Sequence, residues 1–143
     1  MAEAHEHHSA SLALLAEPTG ARLAVSAHSY AEAYSTLTRR GDRAPFAFTA
    51  GEAWASLASI RAVTGLIGLT PAQTFEATSR YAASGGIGPR LYDALIGKSA
   101  FLHGIPGIVT WNTGHMRGLF PDLDVFTPEA FAARRAARRV ARG

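Results

Sequence analysis

The chain has 143 residues, 48% of them hydrophobic, a length and apolar fraction that suit one compact globular domain. It has no cysteine, which excludes disulfide frameworks, thiolate metal sites and cysteine nucleophiles, and no run approaches the roughly 20 apolar residues that cross a bilayer. The net charge is +3 and the pI about 9.8, yet Arg134, Arg135, Arg138, Arg139 and Arg142 all sit at the C-terminal end, so the basicity belongs to a tail rather than to the body.

In chain order, the opening MAEAHEHHSA lacks the basic-then-apolar plan of a secretory signal, and a soluble, cytoplasmic protein is expected. Leu12, Leu15 and Ala16 mark a short helix within 7–16 that Pro18 and Gly20 end. Leu23 to Ala27 is short, apolar and follows a turn, a buried strand. Tyr30, Ala33, Tyr34 and Leu37 share one face of a helix running to Arg39, where Arg39, Arg40 and Gly41 supply a cationic end and a stop.

Thr49 followed by Glu52 is a capping box. It opens a helix whose inward stripe is expected to be Trp54, Leu57, Ile60 and Thr64. Leu66 to Leu69 gives a second strand, and Thr70-Pro71 starts a helix over 72–83. The glycine-rich stretch 85–89 is a loop, a helix follows over 90–102, and Ile108 to Trp111 forms a third strand. A helical turn over 115–119, an edge strand at Val125 to Thr127 and a basic helix from Pro128 complete the chain. Strands alternating with helices at such intervals indicate a parallel sheet covered on both faces.

Asp93 is the most informative acid. On a helix it lies beside Ile96, Gly97 and Ala100 rather than on a charged face. Spacing alone leaves two readings open, a helix-start acid favoured by the macrodipole and a functional carboxylate. Glu32 lies opposite the tyrosine face, among His28, Ser29, Ser35 and Thr36, and Ser29 to Glu32 has capping-box spacing; a divalent metal also needs carboxylates at helix starts beside strand ends. His5, His7 and His8 have weak metal spacing and read as an exposed helix start. Asn112 and His115 follow the third strand, placed to bind phosphate, orient water or cap a turn. Phosphate-loop, nucleophile-elbow and dinucleotide fingerprints are all missing. The basic tail is either a solvated terminus or an arm for nucleic acid.

Three stretches together, Ser26 to Arg39, Leu91 to Ile96 (LYDALI) and Ile108 to Met116 (IVTWNTGHM), resemble successive signatures of PIN-domain ribonucleases of the VapC type, the toxins of toxin–antitoxin pairs. The similarity runs from His7 to Pro128. It implies a PIN-like three-layer α/β/α fold around a central parallel sheet, with residues 1–131 as the domain and 132–143 as a basic tail. It further implies an endoribonuclease dependent on Mg²⁺ or Mn²⁺, commonly a homodimer, with RNA as substrate and a cognate antitoxin protein as partner.

In that family the metal is held by acids from distant parts of the chain. Glu32 matches the one on the helix after the first strand seen here, and Asp93 the one in the LYDALI helix. The resemblance makes Asp93 a direct ligand, Glu32 a ligand or water-positioning base, and Asn112 a supporting donor, the three forming the catalytic set. The family also opens with a central strand ending in a metal-binding aspartate that has no counterpart here. The expectation is therefore a weakened or inactive nuclease, with a non-catalytic antitoxin- or RNA-binding module as the alternative.

Overall fold

The structure, a computed structural model, describes residues 23–110 and 113–143. The expected helix within 7–16, the His5, His7 and His8 cluster, Trp111 and Asn112 lie outside the described residues. The remaining elements form in the expected order. They are β1 (Ala24–Ser26), α1 (Ala27–Thr38), α2 (Ala50–Val63), β2 (Gly65–Ile67), α3 (Pro71–Ala83), α4 (Arg90–Leu102), β3 (Gly107–Val109), α5 (Thr113–Leu119), β4 (Asp124–Phe126) and α6 (Pro128–Arg142).

The strands are parallel, as their spacing requires, but they pair two by two. β1 lies beside β2 in the register Val25 with Leu66, and β3 beside β4 in the register Ile108 with Val125. This α/β fold is mostly helical, its sheet content reduced to these two ribbons among the described residues. Each ribbon is lengthened slightly by flanking bonds. The N–H of Gly65 donates to the carbonyl of Leu23 at 2.8 Å, that of Asp124 to Pro106 at 3.0 Å, and that of Thr110 to Phe126 at 2.9 Å. The described chain falls into two compact units, 23–99 and the residues from Ala100 onward.

In the first unit, α2 begins with the expected capping box. The Thr49 hydroxyl accepts from the Glu52 N–H at 3.2 Å, and the Glu52 carboxylate accepts from the Thr49 N–H at 2.7 Å. The inward stripe differs from expectation at one position. Ala53 and Leu57 are buried, together with Thr64 just beyond the helix, whereas Trp54 is 66% exposed. Ala53 and Trp54 are neighbours about 100° apart on the helix, and the small side chain takes the inward place. Thr64 is a buried polar residue with its hydrogen bonds made, its hydroxyl donating to the carbonyl of Ile60 at 2.8 Å and lying 3.2 Å from the Tyr30 hydroxyl of α1.

The helix α3 starts as Thr70-Pro71 directs. The threonine hydroxyl accepts from the Gln73 N–H at 3.2 Å, the Gln73 side chain accepts from the Thr70 N–H at 2.9 Å, and the proline sits at the helix start where no N–H is needed. The loop before α4 turns at Gly85 and Gly88, both at positive φ. Between them, the Tyr81 hydroxyl donates to the Ile87 carbonyl at 3.0 Å, and the ring passes so near Gly86 that a Cβ there would come within 2.5 Å of it.

The second unit centres on Ala100, Ile108, Met116 and Val125, all buried. Helix α6 repeats the Thr-Pro start, the Thr127 hydroxyl accepting from the Ala130 N–H at 3.1 Å. Phe131 of that helix meets Phe126 of β4 edge to face, with ring centroids 5.8 Å apart. No helix among the described residues is long and apolar enough to cross a membrane.

Candidate functional site

Glu32 and Asp93 both belong to the unit of residues 23–99, and each is placed by the element that carries it. β1 runs into α1 without a loop, Ser26 serving as the extended residue before the helix and being buried. Because α1 starts at Ala27, Ser29 already lies inside it, and the capping-box spacing of Ser29 and Glu32 forms no cap. Glu32 is freed from that structural role and stands in the second turn, partly exposed.

One turn earlier on the same face is His28. Oε1 of Glu32 lies 3.0 Å from its Nε2, and Nε2, shielded from solvent, makes no hydrogen bond. The imidazole also packs against the ring of Tyr92 on α4, with centroids 4.7 Å apart and planes tilted by 33°. Tyr92 precedes Asp93, which occupies the first turn of α4 and is half-buried. A carboxylate in a first turn is favoured by the helix macrodipole. The His28–Tyr92 stack therefore joins the first turn of α1, one turn before Glu32, to the first turn of α4, which carries Asp93.

Sequence reasoning noted His28 only as a neighbour of Glu32. The four-residue spacing of the two was the available signal; the partnership with Tyr92 had none, since ring stacking between distant segments leaves no periodic trace. Asn112 lies outside the described residues, and His115 stands in the other unit, in the first turn of α5. Among the described residues no group of three or more His, Asp or Glu is arranged to hold a metal ion. The donor chemistry nevertheless suits Mg²⁺ or Mn²⁺, hard cations that take carboxylate oxygen and keep several waters, so that one or two protein carboxylates suffice when substrate phosphate supplies the rest.

Of the acids, Glu52 has a clearly shifted protonation. The Thr49 N–H bonded to its carboxylate, then the Thr49 side chain, hold it below its ordinary value of 4.5. It serves a helix start, not the site.

The described elements form an α/β frame with Glu32 on the helix that follows β1 and Asp93 on α4. The PIN domain model matches residues 1–117, and the chain belongs to the PIN domain family. Members of this family are generally nucleases and typically use divalent metals, which places the chain coarsely among the hydrolases of nucleic acid. No curated protein and no solved structure matches the chain.

Proposed function

We propose that the protein is a divalent-metal-dependent endoribonuclease of the VapC toxin type, cutting RNA phosphodiester bonds and paired with a cognate antitoxin. The observation that supports this reading is the packing of His28 of α1, one turn before Glu32, on Tyr92 of α4, next to Asp93, within a chain of the PIN family. Asp93 and Glu32 would hold Mg²⁺ or Mn²⁺. When bound, the metal supplies electrophilic polarisation of the phosphodiester.

The chain's own residues do the rest. Glu32 accepts, at a carboxylate oxygen, the proton of the attacking water, and His28 restrains that side chain by its contact on the preceding turn. Asp93 presents a carboxylate whose freedom is cut by its half-buried place in α4. Asn112 is assigned as a hydrogen-bond donor that orients a ligand or water. A homodimer in the cytoplasm is part of the same proposal.

The test is cleavage of a labelled RNA with and without added Mg²⁺ or Mn²⁺. Glu32→Gln and Asp93→Asn should each lower the metal-dependent rate by at least the roughly 10- to 100-fold that loss of an outer partner of a metal ligand costs, with the circular dichroism spectrum unchanged. Cleavage that persists in both variants would sink the assignment. A second reading, a non-catalytic RNA- or antitoxin-binding module, is favoured by the lack of a three-ligand cluster among the described residues. RNA binding by the wild-type chain without cleavage in either metal would select it.

A further inference from the structure

The unit from Ala100 onward holds a cavity of about 450 Å³ at the corner of α5, β4 and α6. Phe120, Leu123 and Phe126 line it with apolar surface, and Arg117, Asp124 and Arg134 give it a charged rim. Nη2 of Arg117 donates to the Val125 carbonyl at 3.2 Å. A guanidinium carries five N–H donors in a fixed fork, so this one bond fixes the side chain and engages a single donor. The Arg134 guanidinium lies over the Phe126 ring, 5.0 Å from its centroid, and its Nη1 is 3.8 Å from Oδ2 of Asp124. That distance is too long for a hydrogen bond, and with the side chains 45% and 64% exposed the pair is a weak, screened one.

The positive charge continues beyond the cavity. Arg134, Arg138 and Arg142 recur at four-residue steps along α6, each step advancing about 6 Å, and helical geometry puts Arg135 and Arg139 in the same arc. The opposite arc is alanine with Val140, and Glu129 is the single acid of the helix. Arg138 and Arg142 are exposed. A row of guanidinium groups leading out of an aromatic-lined cavity combines the two contacts that single-stranded nucleic acid uses, phosphate attraction and base stacking. An acidic protein segment would use the arginines and leave Phe120 without a stacking partner.

We propose that this corner is a binding surface for single-stranded RNA, with one base in the cavity against Phe120 and the adjoining phosphates along Arg134, Arg138 and Arg142. The choice of RNA as the polyanion rests on the ribonuclease reading; the surface itself stands on the cavity and the arginine row. The experiment is fluorescence anisotropy of the full chain with a fluorescein-labelled oligouridylate in EDTA, so that binding is read without cleavage, over a series of salt concentrations. The double variant Arg138→Ala/Arg142→Ala should bind more weakly, and the slope of log affinity against log salt should flatten by about 1.4, roughly 0.7 for each lost phosphate contact on a single strand.

Phe120→Leu keeps an apolar side chain and removes the ring. It should weaken binding by about 5- to 150-fold, the range for loss of one stacked base, and leave the salt slope as it was. If Phe120→Leu fails to fold, the surface variant still decides. An unchanged slope in Arg138→Ala/Arg142→Ala overturns the proposal, as does binding of labelled polyglutamate in preference to oligouridylate, which would make the corner a site for an acidic protein. The two readings fail separately. RNA binding with the predicted slopes but no cleavage removes the nuclease and keeps the surface, whereas cleavage with an unchanged slope keeps the nuclease and removes the surface.

Discussion

In residues 23–99 the parallel pair β1–β2 is bridged by two long helices, α1 and α2, and three of the acids are met by local partners. Glu32 has His28 one turn before it, Glu52 has the Thr49 N–H, and Glu76 has Arg80 at 2.6 Å one turn after it. From Ala100 onward the pair β3–β4 is bridged by the seven-residue α5, and charge is handled differently. There the arginines lean on rings, Arg134 over Phe126 and Arg135 over Phe131, and spread along one arc of α6. The contrast shows two uses of charge on one strand–helix–strand plan. The three acids are each matched by a neighbour close in the chain, while the cations of α6 form a row of like charge, a pattern that attracts polyanions.

The two units can be compared through their cores first, where the largest effects are expected. Leu57 is 5% exposed and Met116 is 2% exposed. Leu57→Ala in α2 and Met116→Ala in α5 should each lower stability by about 2–5 kcal/mol, the range for truncating a buried aliphatic side chain. Urea denaturation checks both. A loss well under 1 kcal/mol for Met116→Ala would show that the short bridge α5 does not anchor its ribbon as α2 anchors its own.

A smaller effect is expected at the helix starts. Thr49→Ala removes the hydroxyl of the capping box and should cost about 0.5–2 kcal/mol. Glu52 adds a pH signature. Because its carboxyl is held below 4.5 in the folded protein, the folded state favours the ionised form, and this contribution is complete above the ordinary carboxylate range. It is lost as pH falls from there through the lowered value. Glu52→Gln should therefore flatten the acid limb of the stability–pH curve, and an acid limb identical to that of the wild type would assign the pH dependence elsewhere. The smallest effect belongs to Trp54. With two thirds of its surface in water, Trp54→Ala should change stability by no more than about 0.5 kcal/mol, in contrast to Leu57→Ala one turn along the same helix.

Trp54 also marks where the sequence is hard to read. A large apolar side chain at helical spacing invites an inward placement, yet close approach at Ala53 decides which arc of α2 is buried, and alanine gives little periodic signal. The elements themselves were legible from local chemistry. The helix over 90–102 has the expected ends, and Thr49 and Thr70 cap as their spacing demands. The pairing of strands was not, because three-residue parallel strands carry neither a turn nor an alternation that would set which partners meet or in what register. Of the candidate site, Glu32 and Asp93 could be singled out from their faces and from the family signatures. The tie between their helices, through His28 and Tyr92, depends on packing between segments far apart in the chain, as does the cavity between Arg117 and Arg134.

The Thr-Pro starts of α3 and α6 have a further consequence, one that concerns the chain before it folds. A residue that precedes proline is pushed out of the helical region by the ring, and Thr70 and Thr127 are extended here, with ψ of 162° and 160°. The same restriction operates in the unfolded ensemble, where it needs no tertiary contact. At these two positions the boundary between loop and helix is thus set in advance, and less conformational entropy remains to be lost when the helix forms. The basic helix that begins at Pro128 consequently has its start marked by the chain itself.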